Sequence, residues 1–476
     1  MSGRWSLLLA AWAAACGPSP EVAPSSAARA RVLPGVGTPG NFLLVSIDDV
    51  SADQLSVYRT LPEQAVTPTI TALADAGVTF REGYAFPSCT PSRAALMTGR
   101  YPSRYGLGNA LEADAEVVSL PLSEVTLPEA LRASPYGYTS SLVGKWHLAS
   151  PTSPAALFHP NDQGFDWASG SLENLGSSYS DVPGGTNYYH WERITNGVVD
   201  VVDTYATTAT ADAIVARAEA MPEPWFLYAA FNAPHVPHHR PPQRLVNSPV
   251  PENCAVDRPG CFRAALEAVD TELGRALRSI DPDVLSRTTI IFFADNGGAS
   301  DTIEPPLDPT RGKGTVYDGG VRVPFIVAGA WVVAGGREDD HLVSMVDVFA
   351  TVTELAEVPP LDRWDGDPLR TDSVSFANRL LNPAAVAGFP RSLYAFSEAF
   401  WEVGPPPYLR VDRMLRTRAF KLTHYESGVQ FFRYAGDDEG DDLLEGGAPH
   451  GPDAAAVALL DDLFDALESD LVYEGP

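Results

Sequence analysis

Four apolar segments between residues 42 and 296 each run directly into a cluster of carboxylates, amides or cations. Phe42 to Ile47 leads into Asp48-Asp49, and Ser140 to Val143 into Lys145-Trp146-His147. Trp225 to Phe231 leads into Asn232-Ala233-Pro234-His235, and Thr289 to Ala294 into Asp295-Asn296-Gly297-Gly298. With a fifth run, Pro324 to Val327, these read as strands, several apolar on both faces and therefore central and buried. Helical patterns lie between them at Thr67 to Ala76, Pro91 to Thr98, Leu127 to Ala133, Asp203 to Ala220, Phe262 to Ile280 and Val346 to Leu355. This alternation, from Asn41 to about Ala328, predicts an α/β fold with helices on both faces of a sheet. Ligands in such folds collect beyond the carboxyl ends of the strands, so all four polar clusters are expected on one edge. A single Asp-Asp or His there is ordinarily a solvated terminus; the convergence of four carries the reading.

A fifth cluster, Cys89-Thr90-Pro91-Ser92-Arg93, sets a cysteine before a proline that can open a helix, with an arginine one turn on. A reactive group is thereby placed at a positive helix end beside a fixed cation, which suits an anion. The formal charge of -28 excludes recognition of nucleic acid or anionic lipid by a general basic field. An anionic substrate must instead be held by a few placed cations. Asp48, Asp49, Asp295 and Asn296 offer only oxygen ligands, which implies a hard divalent cation, calcium ahead of magnesium.

Cys-x-Pro-Ser-Arg, followed by Leu96-Met97-Thr98-Gly99-Arg100, resembles the signature of the type I sulfatases, and the motif order looks most like arylsulfatase B and related polysaccharide sulfatases. The resemblance implies an alkaline-phosphatase-like mixed sheet flanked by helices as a catalytic domain over 41-383, with a smaller antiparallel sheet plus helix over 384-476. It implies that Cys89 is oxidised to formylglycine by the formylglycine-generating enzyme, and that one calcium ion is held by Asp48, Asp49, Asp295, Asn296 and an oxygen of residue 89. Arg93, Lys145 and Lys313 match the positions that stabilise the aldehyde hydrate and neutralise sulfate oxygens. His235 matches the acid that protonates the departing alcohol, and His147 the base that collapses the enzyme-sulfate hemiacetal.

The match has two departures. Gly144-Lys145-Trp146-His147-Leu148 is followed by Ala149 where a glycine is usual. The family's lysine precedes Glu-Gly-Gly, whereas this chain has Arg311-Gly312-Lys313-Gly314-Thr315-Val316-Tyr317-Asp318-Gly319-Gly320, which leaves Arg311 as a competing cation. Two other functions stay open: a phosphonate or phosphate ester hydrolase on the same scaffold, and a non-catalytic lipoprotein that binds sulfated glycans. His238 and His239 are candidates for lining a substrate pocket, and Trp167, Tyr188, Tyr189 and Trp191 either stack on a sugar or pack.

The first residues hold Arg4, an apolar run from Leu7 to Ala15, and Ala13-Ala14-Ala15-Cys16. This reads as an exported chain with a lipoprotein-type signal (1-16), a lipid anchor on Cys16 and a flexible tether (17-40), in the periplasm or cell envelope. Signal cleavage at one of the alanines, releasing a secreted protein, is the alternative. Cys254 and Cys261, bracketing a Pro-Gly turn, are expected to form a small disulfide loop in an oxidising compartment. Short alternating segments at Ser392 to Phe396, Arg413 to Arg418, Phe420 to Tyr425 and Val429 to Tyr434 predict the C-terminal strands. The acidic run Asp437 to Glu445 reads as a solvated loop, and Asp453 to Glu468 as a final helix.

Overall fold

The computed structural model describes residues 39–111, 118–151, 153–176, 186–362, 369–382, 394–425, 428–435, 438–442, 452–471 and 473–474. The signal, Cys16, the tether up to residue 38 and the 383/384 boundary lie outside these residues.

The strands in chain order are β1 (Asn41–Ile47), β2 (Val78–Tyr84), β3 (Thr139–Gly144), β4 (Trp167–Gly170), β5 (Trp191–Thr195), β6 (Val198–Val202), β7 (Trp225–Ala230), β8 (Thr288–Ala294), β9 (Phe325–Gly329), β10 (Arg337–Ser344) and then β11 (Ala395–Trp401), β12 (Arg410–Arg416), β13 (Phe420–Tyr425), β14 (Gly428–Ala435) and β15 (Asp438–Asp442). The first ten form one mixed sheet in the order β10-β2-β9-β8-β1-β7-β3-β4-β5-β6, and the last five a second, antiparallel sheet. β1 is buried along its whole length, which a strand apolar on both faces requires. It runs parallel to β7 on one side and β8 on the other, and β7 runs parallel to β3. Four consecutive parallel strands, β8-β1-β7-β3, therefore end on the same edge, and they are the four that carry the polar clusters.

The helices that bear on the site are α1 (Pro68–Ala76), α2 (Cys89–Thr98), α3 (Leu127–Arg132), α4 (Ala206–Ala220), α5 (Arg258–Ser279), α6 (Asp318–Val321), α7 (Asp347–Leu355) and α8 (Pro452–Asp470). α2 begins at Cys89 rather than at the proline; Pro91 stands within the first turn, where its missing N–H is not required. α5 buries carboxylates along its inner face, and each has a partner. Asp270 accepts from the Thr69 and Ile70 backbone at 3.0 and 2.8 Å at the start of α1, and Glu267 accepts from the Val66, Asn247 and Ser248 nitrogens. Cys254 and Cys261 are disulfide-bonded, tying the preceding loop to the first turn of α5.

The second sheet packs on the first through α2. Phe86, Ala95, Tyr101 and Val346 share one apolar cluster with Phe396, Leu415, Leu422, Phe431 and Phe464. The acidic run departs from expectation: Asp438–Asp442 is a strand, paired antiparallel to β14. It stands at the edge of the second sheet. No helix among the described residues is long and apolar enough to cross a membrane.

Candidate active site

Each strand end delivers its residues by a local device. Asp49, after β1, has φ of 64°, and His147, after β3, has φ of 60°. Left-handed backbone at two non-glycine residues turns the chain sharply at the edge and is held there by the surrounding bonds. Gly144 makes the second turn possible. Its φ is 96°, and a Cβ would lie 1.9 Å from the Ala230 carbonyl oxygen on β7. α2 enters the same edge with Cys89 at its first position, and the Ser92 hydroxyl accepts from the Phe86 backbone N–H at 3.0 Å to fix the approach.

These elements bring the expected residues together. Arg93, buried, donates from Nε to Asp295 Oδ2 at 2.9 Å and from Nη1 to the Lys145 carbonyl at 2.9 Å, and its Nη2 lies 3.4 Å from Asp48 Oδ2. Lys145 Nζ sits 2.5 Å from Asp48 Oδ2, and Lys313 Nζ 2.5 Å from Asp49 Oδ1. Lys313 Nζ also reaches Cys89 Sγ at 3.4 Å, and Cys89 Sγ lies 3.6 Å from Asp48 Oδ1. Asp49 donates its backbone N–H to Asp295 Oδ1 at 3.4 Å and accepts from Asn296 Nδ2 at 2.8 Å. Arg311 lies elsewhere, over the ring of Tyr317, so Lys313 is the cation of its segment that meets the cluster.

Charges in the cluster balance formally: Asp48, Asp49 and Asp295 against Arg93, Lys145 and Lys313. Burial alone would raise the Asp49 carboxyl, but Lys313 and His235 beside it outweigh that and hold it below the usual range. Burial, aided by Asp48, pushes the Cys89 thiol up to about 12. A metal fits here. Ligand atoms of Asp48, Asp49, Cys89 and His235 lie within 4.8 Å of one another, and Asn296 keeps Oδ1 buried without a hydrogen-bond partner. An orphaned amide oxygen beside three carboxylates is what a hard, oxygen-seeking cation would take up. The His235 nitrogen in this group is a member that the oxygen-only expectation did not include.

The two histidines are held in different states. His147 Nε2 faces the Leu111 carbonyl at 3.2 Å; a carbonyl only accepts, so Nε2 carries the proton and Nδ1, buried and unpartnered, presents a lone pair. Burial, with Lys145 and Arg93 nearby, lowers its pKa well below the ordinary histidine value. His235 donates from Nδ1 to the Val236 carbonyl at 2.8 Å and directs Nε2 at Asp49 Oδ2, 3.6 Å away. Its pKa is also lowered, chiefly by burial, with Asp49 opposing.

Several supporting residues carry no readable spacing. Tyr188 OH lies 2.7 Å from the His235 carbonyl, and Tyr228 OH lies 3.4 Å from Arg93 Nη1. Thr90, inside the cysteine motif, donates to the His147 carbonyl at 3.0 Å and accepts from Leu111 N–H at 3.1 Å. His239 stacks on Tyr188 with centroids 3.7 Å apart, and His238 pairs with Asp301 at 3.2 Å. Tyr188 and Trp191 are buried and Trp167 packs under Arg217; Tyr189 is the exposed one of the four, bonded through its hydroxyl to the Arg240 carbonyl.

Comparison with known proteins agrees with this arrangement. N-acetylgalactosamine-6-sulfatase of Canis lupus familiaris is 31% identical over 356 residues, covering 69% of this chain and 65% of that protein, so the chain spans somewhat less than two thirds of that relative. Arylsulfatase A of Homo sapiens is 31% identical over 367 residues, covering 70% and 68%. The crystal structure of Ps i-CgsB in complex with k-i-k-neocarrahexaose superimposes with a TM-score of 0.71 at 25% identity, covering 91% of this chain and 93% of that one. The sulfatase family model matches residues 40–358, which hold all four strand ends, Cys89 and Lys313, and the chain belongs to the sulfatase family.

Proposed function

We propose that this protein is an exported hydrolase of sulfate esters, acting on sulfated carbohydrate, with residue 89 converted from cysteine to formylglycine and one calcium ion beside it. The observation that carries the reading is Cys89 at the mouth of α2, between Asp48 and the ammonium of Lys313. The glycan part rests on the relatives, which are named for sulfated sugars or solved with a carbohydrate bound. Attachment to the cell envelope through Cys16 belongs to the same proposal and rests on the alanine-cysteine box alone.

Asp48, Asp49, Asp295 and Asn296, with an oxygen of residue 89, would hold the calcium, and Asn296 Oδ1 is the donor already waiting for it. Bound there, calcium supplies Lewis-acid charge toward the reacting oxygens. Formylglycine supplies, as its hydrate, two hydroxyls on one carbon: one able to attack sulfur, the other able to release sulfate when deprotonated.

The remaining work falls to this chain's own side chains. Lys145 and Lys313 present compact ammonium charges on two sides of residue 89, suited to sulfate oxygens that gain charge during transfer. Arg93, engaged on all sides, keeps Asp295 and the Lys145 backbone in place. His235, with Nδ1–H held by the Val236 carbonyl, acts as the acid only in its doubly protonated form, which Asp49 favours; it then gives the Nε2 proton to the departing alcohol oxygen, and His147 takes one at Nδ1 when sulfate leaves. Balanced carboxylates and cations plus a divalent ion leave two positive charges, which matches the dianion that is the product.

Activity decides the matter. Protein coexpressed with the formylglycine-generating enzyme and supplied with calcium should hydrolyse nitrophenyl sulfate and at least one member of a sulfated-glycan panel. Preference for nitrophenyl phosphate would favour a phosphoryl-ester hydrolase, and glycan binding without turnover a carbohydrate-binding lipoprotein.

A further inference from the structure

Among 33 basic residues this chain has three lysines, Lys145, Lys313 and Lys421; all the others are arginine. Two are the ammonium groups of the active site. The third lies on β13 of the second sheet, fully buried, and donates to Asp318 Oδ1 at 2.9 Å. A chain that uses arginine nearly everywhere keeps lysine where a compact point charge is wanted and a planar fork would not fit. Lys421 thus shares its chemistry with the active-site pair, and its partner stands five residues after Lys313.

The segment carrying Lys313 is fastened to the second sheet by several contacts. Arg311 lies over the rings of Tyr317 and Phe432, at 4.8 and 5.9 Å. Tyr317 OH donates to Gln430 Oε1 on β14 at 2.7 Å. Asp318 accepts from Lys421 and also from Tyr434 OH at 2.8 Å, and the Tyr434 ring is covered by Arg416, which reaches Glu82 on β2. On the active-site side, besides the Lys313 ammonium itself, the segment is tied through its backbone: Lys313 N–H to the Gly298 carbonyl and Gly314 N–H to the Pro87 carbonyl, both 2.8 Å, and Gly297 N–H to the Gly320 carbonyl at 2.9 Å. Gly314 has φ of 83°. A four-carbon lysine side chain can be aimed within tenths of an ångström only if its backbone is fixed, and here much of that fixing comes from β13 and β14. A buried ion pair is weak evidence for stability but good evidence that a particular geometry is being specified.

We propose that Lys421 and Gln430 are positioning residues for Lys313: through Asp318 and Tyr317 they hold the segment so that the Lys313 ammonium meets residue 89 and Asp49. The second sheet is then part of the catalytic apparatus. The catalytic consequence rests on the sulfatase reading; the geometric one does not.

The test uses full-length, calcium-supplied protein with Lys421→Met and, because that buried change could cost folding, Gln430→Ala at a half-buried position. Each is made alone and together with Lys313→Ala. With Lys313 present, kcat on nitrophenyl sulfate should fall on the order of tenfold to a hundredfold, more than KM rises, as expected for ångström-scale misplacement. With Lys313 absent, the same changes should have little further effect; equal losses in both backgrounds would mean a merely structural role and overturn the proposal. A second readout needs no turnover. Brief acetic anhydride labelling, read by peptide mass spectrometry, compares Lys313 with Lys145 as an internal reference. Local release should raise the Lys313-to-Lys145 labelling ratio at least about threefold, whereas general loosening raises both alike. An unchanged ratio in both variants overturns the proposal even if the protein hydrolyses no sulfate ester, whereas a raised ratio in the variants of a protein inactive even as wild type would sink the sulfatase reading alone.

Discussion

Asn296 gives its amide nitrogen to Asp49 Oδ1, at 2.8 Å, and leaves its own buried Oδ1 without a partner. A buried amide oxygen left unpaired costs about 1–3 kcal/mol, so its retention beside three carboxylates is most simply explained by a ligand. Calcium should therefore raise the thermal midpoint, by an amount equivalent to about 2.7 kcal/mol at a hundredfold excess over Kd. Asn296→Ala should raise the calcium concentration for half-maximal effect about tenfold or more. Equal stabilisation of wild type and variant, in a calcium titration by scanning calorimetry, would refute the assignment.

The proposed reaction requires the chemistry of Cys89 to change. Conversion of its CH2SH group to CHO removes the sulfur, so the tryptic peptide spanning 89 should lack it in active preparations. Cys89→Ser, in a host that modifies cysteine only, should lose about a thousandfold or more in kcat. Fully active protein whose peptide still carries a free thiol would end this account.

The strand ends were legible because buried parallel strands are continuous apolar runs, and the residue that breaks the run is the one left at the edge. β1, β3, β7 and β8 are all of this kind, and they are neighbours in the sheet. β2 and β10 escaped notice since charge interrupts their pattern: Arg81 and Glu82 in one, Arg337 to Asp340 in the other. Their charges are matched by tertiary partners, as when Arg379 meets Asp339 and Arg416 meets Glu82. Arg311 and Lys313 were not separable by spacing. What separates them is the aromatic pair Tyr317 and Phe432, which takes up the guanidinium, and Phe432 comes from a sheet more than a hundred residues away.

His239 makes stability depend on pH. Enclosed by Tyr188 and Tyr205, it is held by burial at about 4, below the 6.5 of a free histidine. The unfolded chain takes up the proton first, so stability is complete above about 6.5 and is lost as pH falls toward 4. The full shift corresponds to about 3 kcal/mol, and partial exposure of the ring reduces this to about 1–2 kcal/mol. His239→Phe keeps the stacking and removes the titration. Its thermal midpoint should fall less than that of wild type between about pH 7 and about pH 5; parallel declines would rule out His239 as the cause.

The two active-site histidines should fail in different ways, because one faces the acceptor with Nε2 and the other holds a bare Nδ1. In the proposed reaction, His235→Ala removes the proton donor for the leaving oxygen. Its cost should be about a hundredfold or more on alkyl or sugar sulfates, and much smaller on nitrophenyl sulfate, whose phenolate departs unaided. His147→Ala removes the unpartnered Nδ1 instead, whose lone pair in the proposed reaction acts after the alcohol has gone. The loss should be the same for every leaving group, and sulfate should remain attached to the peptide carrying residue 89, visible in the intact mass after brief exposure to substrate. Leaving-group dependence in the His147 variant, or retained sulfate in the His235 variant alone, would exchange the two roles while leaving the proposed reaction in place.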